Sequence, residues 1–491
     1  MVIKDWKKKI VPLAAASAIA LAGCSGAAES SDVPEDTDEQ RNVTEQTAEK
    51  DDATKTDEVK NIIFLIGDGM GVSYTSAYRY LKDDPTTQFV EKTAFDEYLV
   101  GQQMTYPEDP EENITDSAAS ATSMASGIKT YNNSVNIDND GGTEVKTVLE
   151  AAKEQGKATG IVSTSEVTHA TPASYGAHDP SRNNQNEIAD DYFDEMIHDE
   201  HKIDVILGGG IAFFEREDRN LAQEFQDAGY SYVKTAEELR EDHNEKVLGL
   251  FAPVGMDKEL DRPDEQPSLA EMTKEAIERL NQNEEGFFLM VEGSQIDWAG
   301  HDNDIVGAMS EMASFEEAFK VAIDFAKEDG HTLVVATADH STGGFSLAQG
   351  SNYIWDPAPI KAANATPDWM AAQLVDEGKP IEEVLTVQNV GFDLTEEEIQ
   401  SVKDALHSGD EDLRTVVDDA IEKIYDTRSN TGWTTGGHTG EDVNVYAFGP
   451  SSEKFAGHLD NTDQAKIIFE LIGAKVEIHD IPVQSKNNEE E

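Results

Sequence analysis

A chain of 491 residues with 38% hydrophobic and 7% aromatic content can bury a large core, as one big α/β domain with insertions or two to three smaller ones. Lys and Arg number 38 against 99 Asp and Glu, a formal net charge of −61, which disfavours nucleic acid and anionic membrane surfaces as partners. The single cysteine excludes an intrachain disulfide and a Cys-type structural zinc site. So much like charge also strains the compact state unless salt screens it, which points to a salt-adapted, halophilic protein.

The N-terminus reads as an export signal. Lys4, Lys7, Lys8 and Lys9 form a basic region, followed by the short apolar run Ile10–Ala22, shorter than a membrane span requires. Leu21-Ala22-Gly23-Cys24 resembles a bacterial lipobox, which makes residues 1–23 a lipoprotein signal peptide and Cys24 the lipidated residue. The expected location is extracytoplasmic, lipid-anchored to the membrane. Residues 24–58 are rich in Ser, Thr, Asp and Glu and read as a disordered acidic tether. Residues 484–491 form a similar polar tail.

Residues 59–483 alternate between short apolar runs and amphipathic stretches. Asn61–Ile66, Thr159–Ser163, Asp204–Leu207, Phe287–Val291, Thr332–Thr337 and Val443–Phe448 read as buried strands. Glu144–Glu154, Leu269–Leu280 and Ser314–Lys327 carry helical periodicity, and the small-residue run Ala118–Gly127 reads as a closely packed helix. Strands alternating with helices predict an α/β fold with a central, mostly parallel sheet and helices on both faces. Residues 351–431 break the rhythm and read as an insertion containing two helices, Ile381–Val390 and Thr395–His407.

Several strands run directly into acidic or histidine residues. Asn61–Ile66 leads to Gly67-Asp68-Gly69, Phe287–Val291 to Glu292, Asp297 and His301, and Thr332–Thr337 to Asp339-His340. Gly436-Gly437-His438 precedes Val443–Phe448. A single Asp after a strand is usually a cap or turn residue, but ligands bind outside the carboxyl ends of parallel strands, and four such clusters together are hard to dismiss. Asp and His suit zinc, whereas carboxylates with a Thr hydroxyl suit Mg²⁺. No H-x-x-x-H pattern supports zincin-type peptidase chemistry. Asp116-Ser117 opens the small-residue helix, where backbone N–H groups and the dipole favour a phosphoryl group; a plain N-cap is the other reading. A field of −61 repels phosphate esters, so a phosphate site here needs strong local positive charge such as metal ions.

Taken together, these segments resemble the alkaline phosphatase family from about Asn61 to Ile472. The segments NIIFLIGDGMG (61–71), TDSAASATSMASG (115–127), STSEVTHATPASYGAH (163–178), VEGSQIDWAGH (291–301), ATADHSTGG (336–344) and GGHTGED (436–442) carry the resemblance. It implies a hydrolase of small phosphate monoesters that works through a phosphoserine at Ser117, with two zinc ions and one magnesium ion as cofactors. By motif position, Asp297, His301 and His438 match the ligands of the first zinc, and Asp68, Asp339 and His340 those of the second. Asp68, Thr171 and Glu292 match the magnesium ligands, and Arg182 matches the arginine that grips phosphate. His169 near the third metal and Trp298 after Asp297 resemble the marine and Bacillus-like branch. The resemblance also implies a crown-like inserted region and a homodimer.

Other residues are expected to be structural. Gly208-Gly209-Gly210 lacks a nucleotide-binding frame and reads as a turn. His178, His198 and His458 read as surface or loop residues, and the acidic runs as a solvated face rather than cation sites.

Overall fold

The computed structural model describes residues 58–482, apart from Pro110, Asp140, Gly141 and Glu477. The expected signal peptide, Cys24, almost all of the tether and the polar tail lie outside the described residues.

A ten-stranded sheet organises the molecule. Its strands in chain order are β1 (Asn61–Gly67), β2 (Leu99–Met104), β3 (Ala158–Glu166), β4 (Val205–Gly209), β5 (Ser231–Val233), β6 (Val247–Leu250), β7 (Phe287–Gly293), β8 (Thr332–Thr337), β9 (Val443–Phe448) and β10 (Gly457–Asp460). Across the sheet they lie in the order β10-β2-β9-β8-β1-β7-β3-β4-β6-β5. Every neighbouring pair is parallel except the two made by β9, which is antiparallel to both β8 and β2.

The middles of the central strands β1, β7 and β8 are continuous apolar runs because both faces are covered. Their side chains alternate between two cores. Ile63, Leu65, Leu289 and Val291 face one, with Phe315 and Phe319 of the helix Ile305–Asp329. Ile62, Phe64, Phe288 and Met290 face the other, with Ala118 and Met124 of the helix Ser117–Ser126. The predicted α/β fold with helices on both faces is the fold observed.

Local differences have local causes. The stretch expected as a helix from Glu144 begins as the strand Thr143–Val145, and the helix Val148–Glu154 starts only after Thr147, whose side chain caps Glu150 N while Glu150 returns the bond. That reciprocal capping box defines the start. Ile381–Val390 splits into Ile381–Val384 and Val387–Val390, because Thr386 caps a new helix. Gly208 and Gly209 are not in a turn: they stay in β4, and only Gly210 leaves it, at φ 107°. The helix expected at Ser314–Lys327 extends over Ile305–Asp329, because Asp304 Oδ1 accepts from the N–H groups of Val306 and Gly307, both at 2.9 Å.

The segment read as an insertion leaves and returns at one point. Ser346–Leu347 pairs antiparallel with Thr431–Gly432. Between them the chain is helical, and it holds the long helix Leu413–Ser429, which sequence periodicity did not single out. Val417, Ile421 and Tyr425 of that helix join the core on the Ile305–Asp329 side. Among the described residues, no helix is long and apolar enough to cross a membrane.

Candidate active site

The site sits at the carboxyl ends of the central parallel strands. Asp68 follows β1 in a tight turn in which Met70 N–H donates to Gly67 O. The turn requires Gly69: its φ is +70°, and a Cβ there would come within 2.8 Å of Asp297 Cα. Glu292 lies at the end of β7, in register between Ile66 of β1 and Ser163 of β3. Asp339 and His340 follow β8, and Thr171 lies in the helix Ala170–Gly176 after β3. His438 precedes its strand, yet reaches the same edge because β9 runs antiparallel. The short ladder Ser341–Thr342 with His438–Thr439 then fixes it next to His340, and the two imidazoles stack with centroids 3.6 Å apart.

Three groups of ligand atoms result. Asp297, His301 and His438 form the first, with His301 Nε2 3.3 Å from Asp297 Oδ2 and 3.1 Å from His438 Nε2. Asp68, Asp297 and His340 form the second; Asp339 Oδ2, expected in that set, lies 3.2 Å from His340 Nε2. Asp68, His169 and Glu292 form the third. Ligands about 2.0–2.2 Å from a tetrahedral ion stand roughly 3.3–3.6 Å apart, so these spacings suit the edges of metal polyhedra.

Orphaned atoms test the fit. Both Asp68 carboxylate oxygens, Asp339 Oδ2, Glu292 Oε1, Thr171 Oγ1 and His169 Nδ1 are buried without a hydrogen-bond partner. Such groups are costly unless something satisfies them. The opposite atoms of the same side chains are tied down. Glu292 Oε2 accepts from Ser163 Oγ at 2.8 Å and Ser294 Oγ at 2.7 Å. Asp339 Oδ1 accepts from Gly69 N–H and His340 N–H at 3.0 and 2.9 Å. His301 Nδ1 lies 2.7 Å from Gly436 O and His438 Nδ1 2.9 Å from Thr115 O. Those carbonyls put the proton on Nδ1 and leave each Nε2 lone pair facing the cluster. The residues fit metal ions.

The electrostatics agree. Burial, reinforced by the Asp297 charge, pushes Asp339 up to about 7, and burial with the charges of Asp339 and Asp297 raises Asp68 well above the carboxylate range. His301 rises to about 9 through its bond to Asp297. Burial and the nearby Arg182 charge lower His169 to about 3. Carboxylates crowded this closely repel one another, and cations held among them relieve the repulsion.

Ser117 heads the helix Ser117–Ser126, and Asp116 caps it by accepting from Ala119 N–H at 2.9 Å. Ser117 is buried, with Oγ 3.1 Å from His340 Nε2. Arg182 approaches from the loop after the Thr171 helix. It donates to Asp116 Oδ2 at 3.1 Å, and its other terminal nitrogen lies 3.1 Å from His169 Nε2. Trp298 meets the His169 ring edge-on at 5.7 Å. A cavity of about 470 Å³, lined by Ile114, Thr115, Asp116 and His438 among others, opens onto the cluster.

These contacts bring the candidate residues within the described chain to one place, apart from Thr171, which is buried in the helix that follows His169. The supporting polar groups were not foreseen. Thr342 Oγ1 donates to Asp297 Oδ1 and lies 3.3 Å from His340 Nδ1; the serines on Glu292 were visible only as polar residues at the ends of buried strands. His178, expected to have a surface or loop role, does lie in a loop but is not at the surface. It is buried, 3.3 Å from Glu195 and 3.1 Å from Val145 O, because Glu150, Glu195 and buried Lys202 form an ionic network around it. His198 and His458 are exposed, as expected.

The alkaline phosphatase family profile matches residues 59–474. Alkaline phosphatase 3 of Bacillus subtilis (strain 168) is 58% identical over 480 residues, covering 97% of this chain and 100% of its own. The chain belongs to the alkaline phosphatase family. As a member it is a phosphoric monoester hydrolase. Its fold matches the cold-active alkaline phosphatase of a psychrophilic Shewanella sp. with a TM-score of 0.77 at 41% identity, over 84% of this chain and 99% of that one. A His-to-Asp variant of the alkaline phosphatase from the Antarctic bacterium TAB5, with Mg bound in its M3 site, aligns at 28% identity with a TM-score of 0.62, over 85% of this chain and 99% of that one.

Proposed function

We propose that this alkaline phosphatase passes the phosphoryl group through Ser117 at a centre of two zinc ions and one magnesium ion. Asp297, His301 and His438 would hold one zinc, and Asp68, Asp339 and His340 the other. Asp68, Thr171 and Glu292 would hold magnesium, with His169 beside it. The observation that carries the reading is Ser117 Oγ, buried at a helix N-terminus and 3.1 Å from His340 Nε2.

When bound, the ions would supply Lewis-acid charge that makes a hydroxyl or water nucleophilic at working pH and offsets charge on the leaving oxygen. Ser117 Oγ loses its proton to solvent in the site and attacks phosphorus, so the Ser–O–P bond forms as the ester P–O bond breaks. The departing alkoxide takes a proton from water. Arg182 and the N–H groups at the start of the Ser117 helix hold the phosphoryl oxygens. Water then cleaves the phosphoserine, restoring Ser117 and releasing inorganic phosphate.

The wider proposal places the enzyme outside the cytoplasm, lipid-anchored through Cys24, adapted to salt and homodimeric. The basic and apolar N-terminal sequence and the net charge of −61 support the first three, and the family resemblance supports the last.

The test is hydrolysis of p-nitrophenyl phosphate at alkaline pH in high salt, with chelation and add-back of zinc and magnesium, and mapping of phosphate trapped on the protein. Chelator-sensitive turnover restored by both metals, with label on Ser117 that Ser117→Ala abolishes, supports the reading. Label on another residue, or turnover indifferent to metals, overturns it.

A further inference from the structure

Hydroxyl groups hold the Glu292 carboxylate by one oxygen only. Ser163 Oγ donates to Oε2 at 2.8 Å and Ser294 Oγ at 2.7 Å. Ser163 is the partner of Glu292 across the β3–β7 ladder, and Ser294 directly follows β7. Both hydroxyl oxygens accept from the Ser165 N–H at 3.0 Å, which fills a lone pair on each and leaves its proton for the carboxylate, the strongest acceptor in reach. Ser165 Oγ closes the cage, 2.6 Å from Ser163 Oγ and 3.3 Å from Oε2. Glu292 and the three serines are fully buried.

The other oxygen is left bare. Oε1 is buried without a hydrogen-bond partner, and Glu292 belongs to the third ligand group with Asp68 and His169, whose ligand atoms lie within 4.8 Å of one another. Burial raises Glu292, and its bonds to Ser294 and Ser163 pull it down again, because hydroxyl donors favour the carboxylate form that a cation needs. The same donors decide how the carboxylate can bind. A cation reaching Oε2 would meet two hydroxyl hydrogens there. Rotating the carboxylate toward chelation would leave buried serine donors without an acceptor, at a cost. Glu292 is thereby confined to coordination through one oxygen.

We propose that Ser163, Ser165 and Ser294 are positioning residues that make the third group selective for Mg²⁺ over Ca²⁺. Ca²⁺ is the larger ion, accepts irregular geometry and often takes a carboxylate by both oxygens, whereas Mg²⁺ demands near-ideal octahedral geometry. A cage that withholds Oε2 denies Ca²⁺ its second oxygen and costs Mg²⁺ nothing. The His169 imidazole does not suit Ca²⁺ either, but it is unchanged in the variants that isolate the cage. The proposal rests on the reading of this group as the magnesium site. Ser294 heads the helix Gln295–Asp302 yet makes no side-chain cap bond to it, so Ser294→Ala removes the carboxylate contact without uncapping the helix.

The test titrates Mg²⁺ and Ca²⁺ separately into the zinc-loaded enzyme by calorimetry, in high salt to screen the acidic surface. It needs no turnover, so it is independent of the phosphoserine reading. Glu292→Gln gives the background from other carboxylates. In the wild type, Mg²⁺ is expected to bind above that background and Ca²⁺ far more weakly. Ser294→Ala frees Oε2: the Mg²⁺ affinity is expected to fall by roughly 10-fold while that of Ca²⁺ holds or rises, so the ratio of the two falls by at least that factor. An unchanged ratio, including a loss of both affinities by one factor as a merely structural hydroxyl would give, overturns the proposal. So does a wild type that binds Ca²⁺ as tightly as Mg²⁺. If Ser294→Ala does not fold, the same ratio in Ser163→Ala decides. A wild type with no Mg²⁺ binding above the Glu292→Gln background overturns the magnesium reading of the group itself, and the role of the cage with it.

Discussion

Arg182 donates to Asp116 Oδ2 across 3.1 Å. Each side chain is 20% exposed, and His169 Nε2 lies 3.1 Å from the other arm of the guanidinium. The fork is thus held beside Ser117 before a substrate arrives, so little orientation entropy remains to be lost when it engages two phosphoryl oxygens.

Arg182→Lys keeps the charge and removes the fork. A loss in kcat/KM of roughly 10²-fold is expected, with weaker inhibition by inorganic phosphate and unchanged metal content. Steady-state kinetics with metal analysis checks it, and a loss of metal in the variant would assign Arg182 a structural role instead.

Trp298 follows Asp297 in the chain and meets the His169 ring edge-on at 5.7 Å. Its ring packs so closely on Gly255 that a Cβ there would approach it to 2.4 Å. Trp298→Lys replaces that apolar wall with an ammonium. Phosphate inhibition is expected to tighten by roughly 5- to 10-fold, the net worth of one ordinary hydrogen bond, and product release to slow. An unchanged inhibition constant would show that position 298 does not govern phosphate retention.

Glu311 offers a test of pH-dependent stability away from the catalytic cluster. Burial pushes it up to about 8 from an ordinary 4.5, although Glu259 N–H donates to it at 2.6 Å. Because the folded value lies above the unfolded one, its contribution is present below about pH 4.5 and is lost as pH rises to about 8. Glu311→Gln keeps the acceptor oxygen and removes the titration. The variant is expected to be more stable than wild type at pH 9, by on the order of a few kcal/mol, with the advantage shrinking toward pH 5. Denaturant midpoints at several pH values measure it.

The proposed salt adaptation rests on the net charge of −61 and predicts that salt stabilises the fold. Screening shortens from about 10 Å at 0.1 M to about 3 Å at 1 M, so both Tm and phosphatase activity are expected to rise between these conditions. An uncharged osmolyte at equal osmolality is expected to reproduce little of the gain. A Tm indifferent to salt would show that the acidic surface is not a salt adaptation.

The sequence by itself determined the sheet core and most of the site's chemistry. Ile62–Ile66, Phe287–Val291 and Leu333–Ala336 are apolar at successive positions because both faces of their strands are covered, and Asp68, Glu292, Asp339 and His340 stand where such strands end. Ser117 was legible as the head of a small-residue helix. Only the tertiary structure decided how those groups are completed. His438 reaches the cluster because β9 runs against its neighbours, an orientation set by sheet pairing rather than by local periodicity. Which Glu292 oxygen is free follows from serines 127 and 129 residues away in sequence. His178 and Glu422 of the helix Leu413–Ser429 looked like loop or surface groups because their own segments are polar; both are buried, and the burial came from partners on distant elements. Local propensity fixes where a strand stops, but the charge around a side chain depends on what folds against it.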